Sequence, residues 1–472
     1  MKQRIYKLTL TIALIIFGQL GFAESQLEDF KGAWLGSMSI PEGPTLRIGI
    51  EVFKKADGKW GGNIASLDQG ARYMLVSSVG IQDNVFTLQM AGAPVSVVGK
   101  LSADKAVINA DFNQGDSVFK LDLTKVDLLP ETLRMQTPTT TQGYVQQEVQ
   151  YQNSDDGTWL SGALTLPEKA GQRPAVMLVA GSGPNHRDSY HSGHRTFKVL
   201  ADHLSKQGFV VLRSDKRGVY KSSGSFSDAT LQDFVMDTQA GVRFLKAHDN
   251  VDSSRVVLIG HSEGSLVSAM VSEIEDVQGV VSLAGPGLSV LDILLLQDQT
   301  EPAAKGATKA ETDLLLGFSK QFYNLVLATP SSTERKTKVE ALYANLSGDM
   351  AIAVDKWVSK HNGTLSISSA ESDSFRQFLQ QSPLPSWRKF EGKALILNGD
   401  KDAQVPAKEN VEGILASISN KSQVESKIFS GLNHMFQPAK TGAVDEYGQI
   451  ETTFDSEALV TITKWLTIHF GQ

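Results

Sequence analysis

The chain has 472 residues, of which 41% are hydrophobic and 21% charged, with a formal net charge of −7 and no cysteine. That length exceeds one ordinary domain, so two or three are expected, each with enough apolar material for a core. The acidic balance, with no basic stretch past the first few residues, argues against nucleic acid as a partner. The missing cysteines exclude disulfides, a thiolate metal site and a cysteine nucleophile.

Residues 1–23 read as a leader, not as structure. Lys2, Arg4 and Lys7 form a basic start, Leu8 to Phe17 is a short apolar run, and Gly21-Phe22-Ala23 supplies small residues for cleavage after Ala23. An uncleaved anchor is the alternative, but the apolar run is short for a span. The expectation is an exported protein, periplasmic or secreted, with no stable membrane span once the leader is removed.

From residue 24 to 127 the patterning has period two. Leu46, Ile48, Ile50 and Val52 alternate with Arg47, Gly49 and Glu51, and Phe119, Leu121 and Leu123 alternate with Lys120 and Asp122. Turn signals at Asp57-Gly58 and Asn113-Gln114-Gly115-Asp116 separate such runs, which predicts a small antiparallel β domain, a meander or barrel. Trp34 is expected in its core, with ligand stacking as the less favoured reading. Residues 128–143, with Pro130, Pro138 and several threonines, read as a linker.

Residues 144–472 form the second predicted domain. Two strands near Val145–Tyr151 and Leu160–Leu166 precede an alternation of buried strands and helices, which implies a mostly parallel sheet with helices on both faces. Ala175–Val179, Phe209–Leu212, Val256–Ile259, Gly279–Leu283, Ala394–Asn398 and Val424–Phe429 are the apolar strand runs. Thr230 and Asp233 have the spacing of a capping box. From about 285 to 385 strand patterning stops, and Leu315, Phe318, Phe322 and Leu325 mark a helical stripe. A helical insertion there predicts a cap over the ends of the strands, where ligands bind in such sheets.

Gly260-His261-Ser262-Glu263-Gly264 lies between a strand and a helix. A serine on so sharp a turn stands exposed above the sheet, and the flanking glycines let strand and helix approach closely. Ser262 is therefore the candidate nucleophile, and it needs an imidazole oriented by a carboxylate. In this chain order the histidine comes last. His361 lies inside the insertion and His469 near the end of the terminal helix, which leaves His434, just past a predicted strand. Asp400 and Asp402 both qualify as the acid. The N–H groups of Ser182, in the glycine-rich loop after the first central strand, and of Glu263 are candidates for an oxyanion hole.

Gly181-Ser182-Gly183-Pro184, Arg213-Ser214-Asp215-Lys216-Arg217-Gly218, Gly260-His261-Ser262-Glu263-Gly264 and Leu432-Asn433-His434 occur in this order from about residue 145 onward. The set resembles bacterial α/β-hydrolases with the serine aminopeptidase (S33-like) domain, particularly exported esterase-like members that carry a β-rich N-terminal domain. The resemblance implies an α/β-hydrolase fold and puts the acid at Asp402. It also implies cleavage of a small-molecule ester, or a short peptide, by a Ser262–His434–Asp402 triad that needs neither metal nor cofactor. Peptidase, amidase and acyltransferase activities share that triad, and a non-catalytic binding protein is the rival of another class. Asp215 and Arg217 are expected to be an ion pair or loop anchor. His186, Arg187 and Asp188 are expected to fix the loop, with Arg187 a lesser candidate for a substrate carboxylate.

Overall fold

A computed structural model describes residues 26–131, 133–169, 171–359 and 363–471. The leader at 1–23 and His361 lie outside the described residues. Two compact units divide the chain, one of Met1–Thr132 with Gly218–Ser223 and one of Leu133–Arg217 with Gly224–Gln472.

In the first unit nine antiparallel strands lie between Gly32 and Val126. The two edge strands, Ala71–Met74 and Val76–Gln82, are consecutive in the chain, so the sheet curls towards a barrel. The alternating side chains Leu46, Ile48, Ile50 and Val52 all point inward and are buried. Gly36 is glycine because a Cβ there would meet the Asp122 carbonyl oxygen at 2.4 Å. Trp34 is fully buried, and its Nε1 donates to the Phe30 carbonyl at 2.7 Å, a satisfied core residue and not a stacking platform.

The second unit holds an eight-stranded sheet. Its strands are β1 (Tyr144–Gln152), β2 (Trp159–Pro167), β3 (Arg173–Val179), β4 (Val210–Ser214), β5 (Val251–His261), β6 (Gly279–Leu283), β7 (Lys393–Gly399) and β8 (Val424–Phe429). Their order is β1-β2-β4-β3-β5-β6-β7-β8, antiparallel at β1–β2 and β2–β4 and parallel at every later pairing. Strands β3 and β6 are buried along their whole length, as strands covered on both faces must be.

Helices α1 (Thr196–Lys206), α2 (Leu231–Lys246) and α3 (Glu263–Val271) alternate with these strands. Thr230 and Asp233 do form a capping box at the start of α2. Between β6 and β7 the chain is helical: α4 (Val290–Ala304), α5 (Lys309–Ala328), α6 (Ser332–Ala344), α7 (Gly348–Trp357), α8 (Ile367–Glu371), α9 (Asp373–Leu379) and α10 (Leu384–Lys389). Pro383 and Pro385 stand at the start of α10, because proline is tolerated in a helix's first turn. Helix α11 (Ala407–Ser417) follows β7, and α12 (Ser456–Phe470) closes the chain.

Candidate active site

Ser262 sits between the end of β5 and the start of α3 with φ 55° and ψ −125°, a left-handed backbone that a serine adopts only under constraint. The constraint comes from both sides. The Ser262 N–H donates to the Leu283 carbonyl at 2.9 Å, and its carbonyl accepts from the Ser265 N–H at 2.9 Å. A Cβ on Gly260 would lie 2.2 Å from the Gly264 carbonyl oxygen, and one on Gly264 would lie 2.0 Å from that of Val179. Both glycines are demanded by this close approach. Because α3 begins at Glu263, that residue's N–H has no intrahelical acceptor and stays available beside the serine.

His434 and Asp402 meet from loops after β8 and β7. The His434 Nδ1 lies 2.7 Å from Asp402 Oδ2, with both side chains almost wholly shielded from solvent. The other oxygen, Oδ1, accepts from the Gln404 and Val405 main-chain N–H groups at 2.9 and 2.8 Å. A carboxylate so held only accepts, so the histidine proton rests on Nδ1 and the Nε2 lone pair is free. Asp400 faces elsewhere: it is exposed and accepts from Ser430 Oγ at 3.1 Å and the Gly431 N–H at 2.6 Å. Ser262 and His434 line one cleft of about 200 Å³, together with Ser182 and Tyr447.

Two side chains that sequence reasoning passed over belong to this neighbourhood. His261, the variable residue of the pentapeptide, is buried, and its Nε2 lies 2.9 Å from the His434 carbonyl oxygen. Burial, aided by His434, pushes its imidazole down to about 3, so it is neutral and donates through Nε2. Lys216 reaches the glycine-rich loop after β3, its Nζ 2.6 Å from the Gly181 carbonyl oxygen and 2.9 Å from Glu263 Oε1. The motif around Lys216 was visible in the sequence, but nothing local tells which way a lysine turns.

Of the two expectations for Asp215 and Arg217, the loop anchor holds and the mutual ion pair does not. Asp215 and Arg217 do not bond each other. Asp215, fully buried, takes the Arg187 guanidinium through Nε at 3.1 Å and Nη2 at 2.7 Å, and the Arg187 N–H at 2.9 Å. Arg217 instead bonds Asp237, Asp156 and Asp233, an anchor from the β4 loop to α2. Arg187 also contacts Glu148 and Ser161, so its donors are committed and it is no receptor for a substrate carboxylate. Asp188 bonds Arg195 and Arg213; burial would raise its carboxyl, but those cations and His186 hold it far below the usual range. Burial also pushes the His186 imidazole down to about 4.

On the other side of Ser262 opens a cleft of about 640 Å³. Val290, Ile293 and Leu294 of α4 and Phe375 and Phe378 of α9 line it, facing Leu266 and Val405. Ser182 and Gln404 border both clefts, so the two meet at the serine. Among the described residues no cluster of His, Cys, Asp and Glu could hold a metal ion, and no helix is long and apolar enough to cross a membrane.

The family model described as serine aminopeptidase, S33, matches residues 185–437, more than half of the chain. Esterase EstD of Thermotoga maritima is 25% identical over 307 residues, a match spanning 65% of this chain and 65% of that curated relative's length. Among solved structures, an esterase of Pyrococcus furiosus is 18% identical, with 72% of this chain and 97% of that one covered at a TM-score of 0.43. Est1E of Butyrivibrio proteoclasticus, solved with ferulic acid bound, is 17% identical, with 68% and 96% covered at 0.40.

Proposed function

The chain belongs to the serine aminopeptidase (S33) family, and from that premise we propose that it is a serine hydrolase cleaving carboxylic esters through an acyl-enzyme. Ser262 Oγ attacks the ester carbonyl carbon while His434 Nε2 takes its proton, and the carbonyl electron pair moves onto oxygen. The Ser182 and Glu263 N–H groups donate to that oxyanion. Collapse breaks the bond to the leaving oxygen, which takes the proton from His434. Water then repeats the sequence on the acyl-enzyme and restores Ser262. Asp402 keeps the imidazole in the tautomer this cycle requires.

The observation that carries this reading is the 2.7 Å bond between His434 and Asp402 beside a serine held at φ 55°. The buried pair, the strained elbow and the glycine-rich loop are each costly alone and make chemical sense together. The inserted helices serve as a cap whose apolar cleft takes the acyl group, and the smaller cleft beside His434 takes the leaving group.

One feature favours an ester over a peptide's N-terminus. Among the described residues lining the larger cleft, Glu263 is the single ionisable side chain, and its carboxylate is bonded to Lys216. An aminopeptidase must hold a substrate ammonium, and this lining offers no uncommitted anion for it.

The test is a fluorophosphonate probe with p-nitrophenyl esters and aminoacyl-anilides as substrates. Wild-type protein is expected to label at Ser262 and to turn over esters in preference to anilides. Ser262→Ala should lose both labelling and turnover, and full labelling of that variant would sink the reading. Export is part of the same proposal: the mature protein should begin at Glu24, which intact mass spectrometry of the processed chain reads directly.

A further inference from the structure

Among the described residues Lys216 is the one cation whose contacts reach both halves of the oxyanion site, and its burial is hard to justify by stability alone. Its side chain is 10% exposed and that of Glu263 11%. Removing an ammonium from water costs several kcal/mol unless partners use its donors well. Here two are hydrogen-bonded and the ammonium lies over an aromatic ring. One points at the Gly181 carbonyl oxygen at 2.6 Å and one at Glu263 Oε1 at 2.9 Å, while the Phe234 ring lies 4.4 Å from Nζ.

What those partners have in common is their place in the site. The Gly181 carbonyl and the Ser182 N–H belong to one peptide unit. A trans peptide is planar, with C=O and N–H pointing opposite ways, so whatever holds the oxygen aims the N–H. Asn185 reinforces the hold: its Nδ2 also donates to the Gly181 oxygen at 2.9 Å, and its carbonyl accepts the Lys216 N–H at 3.1 Å. Glu263 supplies the second N–H from its main chain, and Lys216 grips its side chain. A cation on the carbonyl oxygen also polarises the peptide and strengthens its N–H as a donor.

Resting on the hydrolase reading, we infer that Lys216 is a positioning residue that sets both oxyanion-hole donors at once, through the Gly181–Ser182 peptide and the Glu263 side chain. It touches no substrate. Its effect falls on the tetrahedral intermediate, where the donors bear charge, and not on ground-state binding.

Two variants test this. Lys216→Met removes the grip but strands a buried carboxylate, so Lys216→Met/Glu263→Gln is made beside it to remove the stranded charge. In both, kcat for a p-nitrophenyl ester is expected to fall on the order of 10² with KM within about threefold, the size of losing one oxyanion donor. Affinity for a trifluoromethyl ketone, which forms a tetrahedral adduct with the serine, is expected to weaken by the same factor as kcat/KM. A structural lysine would show otherwise. If the double variant recovers kcat to within about threefold of wild type, the lysine merely neutralises Glu263 and the inference falls. It also falls if kcat drops while trifluoromethyl ketone affinity holds. Ester turnover that survives Ser262→Ala would instead overturn the hydrolase reading, and this inference with it.

Discussion

Two aspartates two residues apart, Asp400 and Asp402, have unlike surroundings that give them unlike roles. Asp402 divides its oxygens between a buried imidazole and two main-chain N–H groups, whereas Asp400 closes a turn onto Ser430 and Gly431. Asp402→Asn keeps the shape but offers His434 an amide in place of a carboxylate. The imidazole then loses its preferred tautomer and the counter-charge for its cationic form. A fall in kcat on the order of 10⁴ with an unchanged fold is expected, by analogy with serine proteases. Asp400→Asn is expected to cost less than about tenfold, since one loop contact of about 1 kcal/mol is at stake. Steady-state kinetics on both variants decides, and the reverse ranking would move the role to Asp400. The sequence narrowed the acid to these two residues, because the position after a late strand is a property of chain order. The loop contacts that separate them are not local in sequence.

Among the elements, the inserted helices are where periodicity told most about existence and least about use. Leu315, Phe318 and Phe322 of α5 are buried, as a helical stripe at that spacing implies. These residues pack within the core, while the cleft beside Ser262 is lined from α4 and α9. Phe378 of α9 is half-buried in that lining. Phe378→Ala removes aromatic wall from the cleft while sparing the fully buried stripe. It is expected to lower kcat/KM about tenfold for a p-nitrophenyl ester of a ten-carbon acid and less than about twofold for a four-carbon one, the scale of an apolar pocket contact. Equal losses on both substrates would show that the acyl chain lies elsewhere.

Across the whole molecule, the cost of burying neutral imidazoles should appear as acid sensitivity. His186 is pushed down to about 4 and His261 to about 3, each chiefly by burial. An unfolded histidine takes a proton near pH 6.5, but these folded ones refuse it until the pH is far lower. The unfolded chain therefore binds more protons between those values, and stability falls as pH drops from about 6.5 towards 4. Above pH 7 neither group contributes. Each residue accounts for a loss on the order of a few kcal/mol across that window. Urea midpoints at pH 7.5 and pH 5 measure it: a clear drop at pH 5 is expected, and equal midpoints would show that these rings are protonated without penalty.

The sequence alone determined the parts written in short stretches of chain: period-two strands, the capping box at Thr230, the strand–turn–helix around Ser262, and His434 as the histidine after a late strand. Each depends on local backbone geometry, which a few neighbouring residues impose. Only the tertiary structure decided that Asp402 faces His434, that Asp215 takes Arg187 while Arg217 takes Asp237, and that Lys216 spans from the β4 loop to Gly181 and Glu263. These partners lie 20 to 47 residues apart in the chain. They meet because parallel strands bring their carboxyl ends, and the loops that follow, to one edge of the sheet. Which loop side chains then touch is set by strand order and register across the whole sheet, and no local pattern carries that information.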